Sequence, residues 1–204
     1  MQRSSSLSSS RHASYVTVPN VISVVRLLLA PVVVGLAAQE YELGFLALAL
    51  TLLLTDWVDG RIARAWGQQT TFGARLDAFC DVAIYACIAW SLWLLQPEQV
   101  WGERYFLIAL AVTYVLSLTV CLAKFGCLPN YHTRLAKVSW GLVTLGVVAM
   151  TLRLSIWPMR IALAMVTAAN LESIAVTMAL RSWRPDVESL LDARRRPQPA
   201  ESER

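Results

Sequence analysis

Six apolar stretches, at 21–38, 43–64, 77–95, 105–122, 138–156 and 158–180, constrain this chain more than any other feature in it. Each is about 18 to 24 residues long, and a helix of that length crosses a hydrocarbon layer of about 30 Å. Hydrocarbon offers no water to an open backbone, so such stretches fold as helices that close their amide bonds internally. The expected fold class is all-α, an integral membrane bundle of six transmembrane helices over 19–184. A Ser-rich tail at 1–18 and a charged, proline-containing tail at 185–204 lack the apolar surface to join it and read as disordered. Hydrophobic residues are 56% of the chain, charged residues are 16%, and the mean hydropathy is +0.51, which excludes an ordinary soluble domain.

Loop charge sets the orientation, because lysine and arginine gather on the cytoplasmic side. Arg3 and Arg11 precede the first stretch; Arg61, Arg64 and Arg75 lie around the second connection; Lys124, Arg134 and Lys137 lie around the fourth; Arg181, Arg184 and the run 194–196 follow the last. Both termini are therefore expected in the cytoplasm, with Arg153 and Arg160 opposing the trend. Trp66, Trp101, Trp157 and Trp183 fall near stretch ends, as interfacial aromatics do. The net charge of +4 does not point to nucleic acid. Cys80, Cys87, Cys121 and Cys127 form no CxxC pair and read as small apolar residues.

Against that background, DWVDGRIARAWGQQTTFGARLDAFCD places Asp56, Asp59, Asp77 and Asp81 inside or beside apolar segments. An ionised carboxylate there is expensive unless compensated, so such residues mark function. Asp56 and Asp59, spaced i, i+3, share a helix face with Gly60 and Ala63; Asp77 and Asp81, spaced i, i+4, share one with Gly73. A short connection makes the two segments antiparallel and is expected to bring the stripes face to face. Converging carboxylates repel unless a cation holds them, and all-oxygen ligands favour Mg²⁺ or Mn²⁺, with Ca²⁺ a competitor. Small residues leave room beside the ions, and Arg64 and Arg75 bring positive charge suited to phosphate oxygens. Together these features point to metal-assisted phosphoryl transfer on a pyrophosphate-containing substrate.

Asp56-x-x-Asp59-Gly60-x-x-Ala63-Arg64, eight intervening residues, then Gly73-x-x-x-Asp77-x-x-x-Asp81 resembles the full signature of the CDP-alcohol phosphotransferase family. The stretch TVPNVISVVRLLLAP is similar to the start of the first membrane helix in bacterial members of the family. The resemblance implies that Asp56, Asp59 and Asp77 hold a pair of divalent ions, with Asp81 sharing one and acting as general base. It implies that Gly60, Ala63, Arg64 and Gly73 surround the CDP moiety. It further implies a homodimer in the bacterial cytoplasmic membrane, with the active site facing the cytoplasm. The implied reaction moves a phosphatidyl group from CDP-diacylglycerol to a small polar alcohol such as glycerol-3-phosphate and releases CMP. Val82 departs from the lysine that phosphatidylglycerophosphate synthases commonly carry after the fourth aspartate, so inositol phosphate, serine and phosphatidylglycerol stay open as acceptors. The alternatives are phosphocholine or phosphoethanolamine transfer to diacylglycerol and, from another class, divalent-cation transport.

Four residues outside the signature keep two readings. Arg26 either points into the cavity toward a phosphate or snorkels to the interface. Arg75, with the Arg134 and Lys137 pair, either binds a phosphate of the acceptor or serves topology. Asn20 reads as a helix-start cap, His132 as a surface residue, and Glu172 as a packing or cavity residue of the last stretch.

Overall fold

The structure, a computed structural model, describes residues 18–65, 71–126 and 134–180. Both tails, Trp66, Trp183, Cys127 and His132 lie outside the described residues. All regular structure among the described residues is helical: α1 (Val18–Ala38), α2 (Glu42–Ala65), α3 (Thr71–Leu95), α4 (Pro97–Gly102), α5 (Arg104–Phe125), α6 (Arg134–Thr151) and α7 (Trp157–Ala179). Four of the helices contain stretches long and apolar enough to cross a membrane, at Asn20–Ala38, Leu76–Leu95, Arg104–Phe125 and Trp157–Ala179. The other two expected spans are helical as well. In α2 the apolar run is closed by Asp56, and the apolar part of α6, Leu135–Thr151, is shorter.

The helices alternate in direction, which puts the start of α1 and the ends of α2 and α7 at one end of the molecule. The turns α1–α2, α3–α5 and α6–α7 lie at the other. α1 packs closely on both α3 and α2, while α2 and α3 touch each other only slightly; α7 packs on α6 and α5. The hairpin of α2 and α3 expected from sequence is thus opened by α1, which lies against both. Five of the helices, α1, α2, α3, α6 and α7, turn one face to a shared core. On α1 the buried residues Asn20, Ser23, Arg26, Ala30, Val33 and Ala37 recur at three and four. Phe45, Ala49, Leu52 and Leu53 of α2 and Cys80, Ile84, Ile88 and Leu92 of α3 meet that stripe, with Val147 and Met150 of α6 and Met159 and Leu163 of α7 completing the core. The outward faces remain apolar: on α5, Ile108, Val112, Val115 and Leu122 are all exposed, as lipid-facing residues are.

Two of the turns share one design. Glu40 and Arg153 adopt the left-handed conformation, with φ of 56° and 55°. Tyr41 N–H donates to Leu36 C=O and Leu154 N–H to Ala149 C=O, so both helices end in the six-to-one bond of a Schellman motif without glycine. The turns are tied across the molecule by Arg153 Nη2 and Glu42 Oε1, and Gln96 Nε2 donates to Met150 C=O at 2.7 Å. Arg160 pairs with Glu103 at 2.7 Å, beside a cavity of about 300 Å³ lined by Glu98, Glu103, Arg153 and Arg160. The two arginines that seemed to oppose the charge trend are therefore each neutralised by an acid.

Candidate metal and phosphate site

The site forms at the opposite end of the bundle. Asp56 follows the buried stripe of α2 by one step, and Asp77 and Asp81 flank Cys80 at the start of that of α3, so core packing of these helices fixes where the acids point. One ligand oxygen from each of Asp56, Asp77 and Asp81 lies within 4.8 Å of the others. The side chains are 20%, 41% and 31% exposed, which leaves the cluster half-buried yet open to an incoming ligand.

Arg26 of α1 stands in the middle of the acids. Its Nη1 lies 2.9 Å from Asp56 Oδ1 and 3.7 Å from Asp77 Oδ1, and its Nη2 lies 3.2 Å from Asp81 Oδ1. Ser23, one turn earlier on the same face, donates its hydroxyl to Asp77 Oδ1 at 3.3 Å. The Arg26 side chain is only 4% exposed, so its head does not snorkel to the interface; it is the counter-charge of the cluster. Ser23 was missed in the sequence, although its spacing of three from Arg26 was the available signal.

Three of the four aspartates therefore converge as expected. Asp59, Gly60, Ala63 and Arg64 lie on α2, Arg75 on α3, and Arg134 opens α6, while their side chains lie outside what the structure describes. Gly73 sits on α3 one turn before Asp77, and Lys137 is exposed on the first turn of α6. Asn20 is not a cap: it lies within α1, buried on the Arg26 face. Glu172 is on α7 with Oε2 buried and no hydrogen-bond partner among the described residues, near Asn170, which donates to Thr113 at 3.3 Å.

The donor set suits a hard divalent cation. Opposite ligands around an ion bound at about 2.1 Å are about 4.2 Å apart, so three carboxylate oxygens within 4.8 Å need only small side-chain rotations to share one. Long apolar helices that gather three carboxylates and an arginine at one end define a helical protein of membrane type with a candidate site for a divalent cation. The chain belongs to the CDP-alcohol phosphatidyltransferase family, whose model matches residues 16–180.

Individual relatives agree with that placement. A CDP-diacylglycerol–glycerol-3-phosphate 3-phosphatidyltransferase of Pseudomonas fluorescens is 36% identical over 93 residues, covering 41% of this chain and 48% of the relative. One of the same name from Aquifex aeolicus is 41% identical over 64 residues, covering 31% and 36%. A putative cardiolipin synthase of Mycobacterium tuberculosis is 39% identical over 66 residues, 32% of each chain. The chain thus spans about half or less of the length of these curated relatives. No solved structure matches it.

Proposed function

We propose that this chain is a phospholipid-synthesising enzyme that transfers a phosphatidyl group from CDP-diacylglycerol to a small polar alcohol, glycerol-3-phosphate foremost, with release of CMP. The observation that carries the reading is the meeting of Asp56, Asp77 and Asp81 at one opening, within a family signature complete at every position. The printed names of the Pseudomonas and Aquifex relatives favour glycerol-3-phosphate as the acceptor.

Asp56, Asp59 and Asp77 would hold Mg²⁺ or Mn²⁺, as one ion or two, with Asp81 sharing the site. A divalent ion supplies Lewis-acid charge for the diphosphate. Asp81 takes the proton of the acceptor hydroxyl as that oxygen bonds to the phosphorus carrying diacylglycerol. The bond from this phosphorus to the bridging oxygen breaks, and CMP leaves with the electron pair. Gly60, Ala63 and Gly73 leave room for CDP, Arg64 binds its phosphates, and Arg75, Arg134 and Lys137 receive a phosphorylated acceptor.

In this reading the six apolar segments cross the bacterial cytoplasmic membrane with both termini and the acids at the cytoplasmic side. The Lys and Arg distribution supports that orientation, with Arg153 and Arg160 outnumbered by the basic residues of the other side. A homodimer is proposed on the family resemblance alone; light scattering that gave one protomer per detergent micelle would remove it.

The deciding experiment incubates the purified protein with CDP-diacylglycerol, Mg²⁺ or Mn²⁺ and a panel of alcohols and follows CMP. Metal-dependent release that rises with one alcohol and is lost in Asp81→Asn fixes the reaction and its acceptor. No CMP release with any alcohol, alongside divalent-ion uptake into liposomes, would replace the enzyme by a transporter.

A further inference from the structure

Arg26 is bonded to the same carboxylates that could hold a metal. Its two terminal nitrogens reach the Oδ1 atoms of Asp56, Asp77 and Asp81, and among the described residues these three acids lie close enough to share an ion. Each carboxylate keeps a second oxygen, but a divalent cation drawn to these three acids would stand against the guanidinium with almost no water between, and the two positive charges repel. Arg26 is itself 3% exposed, so solvent offers no alternative partner at its present position. Its long, flexible stem, however, lets the head swing while the Cα stays packed on α2 and α3.

We infer that Arg26 is a built-in competitor for the divalent ion: it holds the three aspartates together as their counter-charge, and metal binding displaces it from their Oδ1 atoms. Metal affinity is then set by a competition inside the protein as well as by the acids. The proposal rests on the metal site of the proposed function but needs no turnover to be tested.

The test is a Mn²⁺ titration, read by the spin resonance of the free ion, on the full chain in detergent and on Arg26→Gln, with Asp77→Asn as the control that weakens the site. Arg26→Gln is expected to bind Mn²⁺ on the order of tenfold more tightly than the unaltered chain. In chelator it is expected to melt at a lower temperature, and Mn²⁺ is expected to raise its melting point more than that of the unaltered chain. Arg26→Lys, with a single ammonium in place of the fork, should fall between them. Equal or weaker Mn²⁺ binding in Arg26→Gln would overturn the proposal, because the arginine would then be orienting the acids for the ion rather than competing with it. If Arg26→Gln is recovered folded only in Mn²⁺, the ion has replaced the guanidinium, as proposed; failure to recover it even then, while Arg26→Lys folds, overturns the competition. No Mn²⁺ binding to either protein would remove the metal site beneath the proposal, an outcome distinct from equal binding with metal-dependent CMP release intact.

Discussion

Arg160 and Glu103 are joined at 2.7 Å across 57 residues of sequence, and they differ sharply in burial: the carboxylate side chain is 4% exposed, the arginine 38%. This pair ties α7 to the turn between α4 and α5. Removing the arginine strands the buried Glu103 carboxylate, so Arg160→Met is expected to lower the melting temperature clearly. The neighbouring tie between Arg153 and Glu42, 63% and 34% exposed, is the contrasting case. Glu42→Gln should change stability by about 1 kcal/mol or less. Thermal melts of both variants in one detergent check the ranking, and equal losses would show that burial does not set the strength of these ties.

Gly146 governs the packing of α6 on α7. A Cβ at this position would stand 2.9 Å from Met159 Cα, a backbone atom that cannot swing aside. Gly146→Leu is expected to lower stability by about 1 to 3 kcal/mol and separate the two helices. Cross-linking between cysteines placed on the facing turns reads this directly; unchanged cross-linking and melting would refute the close approach.

Lys124 closes the end of α7. Its ammonium donates to the carbonyls of Thr177 and Met178, both at 2.9 Å, at a helix terminus where positive charge is favoured. Lys124→Met should fray the last turn of α7 at a cost of about 1 kcal/mol. Hydrogen exchange is expected to speed up at Val176–Leu180 and stay unchanged at the start of the helix.

The acids themselves give the largest effect on turnover. Asp81→Asn is expected to cut CMP release by about 10² to 10⁴, the usual share of a general base. Asp56→Asn should act through metal, so that its loss is partly restored by raising Mn²⁺, whereas that of Asp81→Asn is not. Chelator should abolish release in every variant. An Asp81→Asn protein rescued by Mn²⁺ would make Asp81 a ligand only.

Much of this was legible in the chain. The apolar runs predicted the helices, and the spacing of the acids predicted a shared site for Asp56, Asp77 and Asp81, because both are periodic signals local to one element. What sequence could not convey was which helix faces which. Arg26 meets partners 30 and 55 positions away, and a short loop between α2 and α3 gave no hint that α1 would lie against both. α4 was read as a loop, since six residues are too few for periodicity; Pro97 at its start, followed by Glu98, was the one available mark. The acidic partners of Arg153 and Arg160, Glu42 and Glu103, were not foreseen, since those pairs join residues distant in sequence.

The position of α1 between its two partners bears on how the protein is made. An arginine or aspartate at the centre of a membrane helix opposes insertion by about 2.5 to 3.5 kcal/mol, and one nearer the end, as Arg26 is in the span Asn20–Ala38, opposes it by less. Arg26 leaves the ribosome first and waits for Asp56, then for Asp77 and Asp81, before its charge is matched. The first three helices are thus reluctant passengers singly and compatible ones together. In the proposed membrane arrangement their commitment to the bilayer is expected to be a joint event, completed only when the third has emerged, and a chain halted before α3 would carry an unmatched charge.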